Sequence, residues 1–300
     1  MINLAEIKKL YLKGENIMQA LRSRMGVKEN TSEIINISYD FQAGSYVEIF
    51  ENNPEPKIEY CKQLASDIEA LGDVKTILLV GTGESITLTN LAKSLNNKNI
   101  CFYGIDISWS RIKFGMDFSK SQGVEGLNLF ISDLFNLPFL DNSIDIVISN
   151  HSLEPNGGRE KKAIQELMRV AKNYVVMNEP DYTRGNDEVK ARIDHLGYVK
   201  NLADHSNSLG HNVIKDEPFK FSLNPMNPTR TTILKKSGEK NMIENVLACP
   251  VSKFPMEKYG DTYYSKESCL AYPIIGGIPC FLKESAIVAT HFDDFFKDSK

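Results

Sequence analysis

Three hundred residues, 42% hydrophobic and 25% charged, suit an ordinary globular chain of one large domain, or one domain with an appendage. A formal net charge of −4 supplies no basic field to recruit nucleic acid, and no apolar run reaches the ~18 residues of a membrane span. Five cysteines at wide spacing point to a reducing, cytoplasmic setting rather than a disulfide framework, and the alternately acidic and basic N-terminus has no signal-peptide core.

The first 72 residues read as helical. Leu4, Ile7, Leu10 and Tyr11 recur at helical spacing, as do Ile17, Leu21 and, more loosely, Met25. Gly26 and Asn30-Thr31-Ser32 interrupt the pattern, and Thr31 or Ser32 is placed to cap the next helix. That helix carries Ile34-Ile35 into SYDFQAGSYVEIF, where two-residue alternation is absent and Gly44 permits close approach. This segment reads as a lid rather than a core strand. Asn52-Asn53-Pro54 break the chain before a further helix, Ile58 to Leu71.

The next stretch is the most informative. An apolar run, Thr76 to Val80, ends in Gly81-Thr82-Gly83; a helical segment spans Ile86 to Leu95; a second run, Ile100 to Ile105, ends in Asp106. Strand, glycine turn, helix, strand and acid form half of a nucleotide-binding α/β unit, with Asp106 near the ~20-residue spacing at which an acid holds ribose hydroxyls. A dinucleotide fingerprint would need glycine where Ile86 stands, and Glu84 would repel a pyrophosphate. S-adenosylmethionine has no phosphate and carries a positive sulfonium, so the same turn argues for that ligand and against NAD.

Two more apolar runs follow, Leu127–Ile131 before Ser132-Asp133 and Asn142–Asn150 before His151-Ser152-Leu153-Glu154-Pro155. VGTGES, GIDIS, SDLFNLPF and DNSIDIVISNHSLEP, in this order and spacing, resemble the class I S-adenosylmethionine-dependent methyltransferases, of the methyltransferase type 11-like kind, over roughly residues 70–235. The resemblance implies S-adenosyl-L-methionine as cofactor and S-adenosyl-L-homocysteine as product. It implies a turn of Gly81, Thr82, Gly83 and Glu84 beneath the methionine part, ribose at Asp106 beside Ile107, and the adenine amine at Asp133 beside Leu134. Asn150 and Tyr46 complete the expected cofactor set. Two positions depart from the pattern: Leu78 replaces an acid on the first strand, and Ser85 replaces a third glycine.

Further along, Ala163–Val170 and Asp187–Leu202 read as helices, and Tyr174–Met177, Val213-Ile214 and Thr231–Leu234 as strands. The expected fold is α/β: a Rossmann-like, seven-stranded, mostly parallel sheet with an N-terminal helical cap and a small β-rich C-terminal module. The divisions are 1–72 for the cap and substrate lid, 73–240 for the cofactor-binding domain, and 241–300 for the module. That module, with its CP and YPIIGGIP segments, resembles the small zinc-ribbon-type activator subunits of some methyltransferases. The four ligand positions align with Cys249, Ser252, Ser265 and Cys269, so half the thiolates are gone and no metal is expected. Cys280 reads as a packed core thiol or a substitute ligand.

Methyl transfer needs the acceptor in line with the S–methyl bond, and a general base only where the acceptor must lose a proton. His151 and Glu154 are the catalytic candidates, with a loop or helix-end role as the alternative. Tyr39, Gln42 and Glu179 are the substrate-binding candidates; Glu179 reads equally as a loop-capping acid, and the tyrosines equally as packing. The acceptor is expected to be a small molecule such as a sugar or glycan precursor. The alternatives are an RNA or protein acceptor, suggested by the activator-like tail, and a non-catalytic scaffold. Oligomeric state is open.

Overall fold

A computed structural model describes residues 2–236 and 245–295. Five helices precede the first strand: α1 (Leu4–Leu12), α2 (Ile17–Met25), α3 (Ser32–Phe41), α4 (Ser45–Asn52) and α5 (Glu55–Glu69). Asn3, Asn16 and Thr31 cap the first three, their side chains accepting from the N–H groups of Ala5, Gln19 and Ile34. The segment expected to be a lid is the end of α3, a turn at 42–44 and the start of α4.

Strands and helices then alternate: β1 (Thr76–Val80), α6 (Ile86–Ser94), β2 (Cys101–Asp106), α7 (Trp109–Ser121), β3 (Asn128–Ile131), β4 (Ile144–Asn150), α8 (Glu160–Val170) and β5 (Ala171–Pro180). After them come α9 (Asp187–Leu196), α10 (Leu202–Ser208), β6 (Asn212–Pro218) and β7 (Thr229–Lys235). The sheet runs β3-β2-β1-β4-β5-β7-β6, parallel except for β7, which is antiparallel to both its neighbours. Side chains alternate across it. Leu78 and Val80 enter the core beneath α8, while Ile77 and Leu79 enter the core beneath α5 and α6. Leu78, which stands in place of the family's acid, is therefore a fully buried core residue. The single helix expected over Asp187–Leu202 is two helices, because Gly197 turns left-handed at φ 67° and closes α9. Among the described residues no helix is long and apolar enough to cross a membrane.

The C-terminal residues add β8 (Glu257–Tyr259), β9 (Thr262–Ser265), β10 (Leu270–Ile275), β11 (Ile278–Pro279) and β12 (Ile287–Val288), an antiparallel sheet. It docks on the open edge of the large sheet. Phe281 N donates to Ile131 O at 2.7 Å, and Leu140 N to Val246 O at 2.9 Å. Phe281 is fully buried against Phe130, ring centroids 5.2 Å apart, and Cys280 and Ile278 join the core on the opposite face. The tail thereby covers a strand edge that would otherwise present unpaired backbone groups. Cys280 is core-packed. Cys269 is half-exposed, with its Sγ near Lys266 O. Cys249 accepts from Ser252 N at 3.4 Å and lies 3.2 Å from the Tyr272 hydroxyl, while Cys269 turns its thiol to Lys266 O instead. The expected boundary at 240/241 lies outside the described residues.

Because both faces of the main core contain tail residues, Phe281→Ala should cost about 3–5 kcal/mol in chemical denaturation. Deleting everything after residue 240 should yield an aggregating protein. A truncated chain that stays monomeric with an unchanged melting temperature would show that the tail is no part of the fold.

Candidate functional site

The loop between β1 and α6 alternates backbone handedness. Gly81, Gly83 and Ser85 have φ of 60°, 56° and 56°. Ser85 thus takes a left-handed conformation that favours glycine, at some backbone strain. A Cβ at Gly81 would lie 2.2 Å from the Ser152 Cβ, so no side chain fits there. Thr82 N donates to Ile105 O at 2.8 Å, tying the turn to β2.

Asp106, at the end of β2, is buried and accepts from Gly83 N at 2.8 Å and Ser108 N at 3.0 Å. Burial raises its pKa, and Arg111 with the two N–H groups opposes that. Asp133, beyond β3, accepts from Phe135 N at 3.0 Å and from the Ser32 hydroxyl at 2.9 Å. Ile107 and Leu134 follow these acids and are partly buried. Asn150 closes β4 and accepts from the Tyr60 hydroxyl at 2.6 Å.

The lid is pinned to these same loops at three places. Ser32 holds Asp133. Asp40 accepts from Ser108 Oγ at 2.6 Å and from Ser110 N at 3.1 Å, capping α7 from outside. Glu84 accepts from Gly44 N at 3.0 Å and Val47 N at 2.7 Å, so its carboxylate caps the start of α4. Glu84, expected to face the cofactor, serves the lid with both oxygens. Beneath the lid lies the Arg111 guanidinium, 4.6 Å and 4.5 Å from the ring centres of Tyr39 and Tyr46. Gln42 lies in the turn between the lid helices, accepting the Ser45 hydroxyl on its backbone oxygen at 2.7 Å.

On the far side of Tyr39 the loop after β4 builds a second polar cluster. His151 sits at φ 51° with its N–H on Asn178 O. Its Nδ1 is 2.9 Å from Glu154 Oε2 and its Nε2 is 2.7 Å from Thr229 Oγ1. Asn227 Nδ2 donates to the same Glu154 oxygen at 3.0 Å. Burial, with the nearby Glu154 charge, raises the phenols of Tyr39 and Tyr198. Glu179 lies under this loop in the loop-capping position. It accepts from the N–H groups of Ser152, Leu153 and Glu154 and from the Ser149 hydroxyl. It is the last residue but one of β5 and is 1% exposed, which keeps it from direct contact with a substrate in this arrangement.

Sequence reasoning missed Arg111, Ser32, Asp40, Asn227 and Thr229. The roles of Ser32, Asp40, Asn227 and Thr229 depend on partners 68 to 101 positions away, as in Asp40–Ser108 and Ser32–Asp133, which no local pattern encodes. Trp109, which from its place after Asp106 reads as stacking near the adenine edge or packing its helix, donates from its indole to Ile275 O at 3.3 Å and so docks α7 on the C-terminal hairpin.

Residues 71–231 match the family model described as a methyltransferase domain. The chain belongs to this family of S-adenosylmethionine-dependent methyltransferases. It is 33% identical over 98 residues to ajmaline N-methyltransferase of Rauvolfia serpentina, and equally to that plant's norajmaline N-methyltransferase. Each match covers 32% of this chain, and spans about a third (32%) of the length of those curated relatives. The fold is similar to that of magnesium protoporphyrin IX methyltransferase from Synechocystis PCC 6803 with bound SAH: TM-score 0.50, 16% identity, 63% of this chain and 87% of that one. The residues present fit the family's cofactor: an acid at the end of β2 and a buried cation with unpartnered donors.

Burial pushes the Glu179 carboxyl up to about 7, with Glu154 adding to the rise and His151 and Ser149 opposing it. A raised acid favours the fold while protonated and loses that contribution as pH climbs from the unfolded value through about 7. Wild-type stability should therefore fall between pH 5 and 8 relative to Glu179→Gln, by up to about 3 kcal/mol. Parallel denaturation curves for the two proteins would remove this assignment.

Proposed function

We propose that the protein transfers the methyl group of S-adenosyl-L-methionine to a small molecule whose acceptor atom carries a proton that must be lost. The observation that carries this reading is the family match over the glycine turn and Asp106, joined to the His151–Glu154 pair that lies across Tyr39 from them. When bound, the cofactor supplies an electrophilic methyl group. The turn from Gly81 to Gly83 would lie beneath its methionine part, Asp106 would hold the ribose and Asp133 the adenine amine. Asn150, Ile107 and Leu134 would border it.

This chain's own residues do the rest. Glu154 holds His151 Nδ1–H and so keeps Nε2 as the basic nitrogen, which the Thr229 hydroxyl now occupies. An acceptor N–H or O–H that replaces Thr229 would give its proton to Nε2, with Glu154 stabilising the resulting imidazolium. The buried carboxylate and the tyrosine faces suit an amine, in keeping with the N-methyltransferase names of the two plant relatives. A hydroxyl of a sugar or glycan precursor makes the same demand on His151. The lid over the site supports a small acceptor rather than a long chain.

Asp106→Ala should weaken S-adenosylmethionine binding at least tenfold in calorimetry, since two charge-assisted hydrogen bonds to the ribose are lost, each about 1.5–3 kcal/mol. An unchanged dissociation constant would overturn the ribose assignment. His151→Asn should lower kcat about a hundredfold and flatten the pH–rate profile while leaving cofactor binding intact. A variant that keeps both rate and profile would show that no base acts here. Wild-type protein that failed to bind the cofactor at all would favour the scaffold reading.

A further inference from the structure

Arg111 belongs to none of the motifs that carry the family match, yet it is 7% exposed at the centre of the cofactor-facing loops. Its Nη1 would lie 3.3 Å from a Cβ placed on Gly83, so the guanidinium covers the glycine turn. Tyr39 and Tyr46 pack on it, and Asp106 and Glu84 are its acidic neighbours. Its Nε and Nη2 are buried and have no hydrogen-bond partner. Those two N–H groups share one edge of the guanidinium and form the fork that matches the two oxygens of a carboxylate. Two unpartnered, charged donors are costly to bury, so an incoming anion would improve this edge.

We infer that Arg111 is the residue that takes the carboxylate of the cofactor's amino-acid part, an inference that rests on the functional reading above. The flanking charges narrow the choice of anion. A phosphate would meet Asp106 and Glu84 and be repelled. The amino-acid part is a zwitterion: its carboxylate suits the fork, and its ammonium suits the surrounding acids. Both donor atoms lie beneath the lid, so the carboxylate reaches them only when Glu84's hold on the lid and the lid's Asp40 contacts to Ser108 and Ser110 loosen. Arg111 in this way selects ligands that carry the amino-acid part over bare nucleosides.

The test is calorimetric titration of the full-length wild-type, Arg111→Gln and Arg111→Lys proteins with S-adenosylhomocysteine and with methylthioadenosine, which lacks the amino acid. Wild type should bind S-adenosylhomocysteine much more tightly than methylthioadenosine. Arg111→Gln should weaken S-adenosylhomocysteine roughly thirtyfold and leave methylthioadenosine within about twofold, with Arg111→Lys between. Melting curves check that each variant folds, and the lysine variant, which keeps the charge, carries the test if glutamine does not fold. Equal loss for both ligands would assign Arg111 to the adenosine and overturn the inference. Tighter S-adenosylhomocysteine binding by Arg111→Gln would make the arginine a block instead of a ligand, and would also overturn it. Wild-type protein that bound neither compound would overturn the functional reading itself.

Discussion

The turn from Gly81 to Ser85 is the constraint on which the rest of the site depends. Three left-handed residues within five positions reverse the chain so tightly that its backbone and its one acid face different neighbours. Gly83 gives its N–H to Asp106, which fixes the end of β2. Glu84 reaches upward and caps α4, which fixes the lid. A Cβ at Gly115 would lie 2.5 Å from Ser85 Oγ, so α7 packs directly on the turn and aims Arg111 across it. Ser85 costs some backbone strain where glycine would cost none. Its hydroxyl lies within 3.5 Å of the Thr82 hydroxyl, which partly offsets that cost.

The lid and the tail solve related problems at two sides of the same loops. Three backbone ends near the site are satisfied by groups from other parts of the chain. Asp40 caps α7, Glu84 caps α4, and Phe281 pairs the edge of β3. Trp109 joins the two systems: its indole hydrogen-bonds Ile275 O of the C-terminal hairpin, and it directly follows the Ser108 that Asp40 holds from the lid side. The lid and the tail thus both hold the start of α7.

The parallel strands and the glycine turn were legible because a strand buried on both faces must be a continuous apolar run, and its end is marked by glycine or an acid. Thr76–Val80 and the acid at 106 stand where the residues alone put them. The break at Gly197 was not read, because the apolar spacing of Val189 and Ile193 continues toward Leu202 and hides the left-handed cap. The candidate site divided along a physical line. Residues singled out by a local position, such as His151 after β4, could be named from the sequence. Residues whose role is to satisfy a distant backbone group could not, since Asp40 and Arg111 look like ordinary helix charges until the loops they face are assembled. Glu84 was placed correctly and assigned by its charge, but its partners are N–H groups about 40 positions earlier.

The account claims above all that the cofactor lies between the lid and the glycine turn. Amide hydrogen exchange with and without S-adenosylhomocysteine tests this most directly. The account predicts slowed exchange at residues 81–86 and 106–111, together with altered exchange at Gly44 and Val47, whose N–H groups Glu84 holds. Protection that left all of these amides unchanged and appeared elsewhere would contradict it.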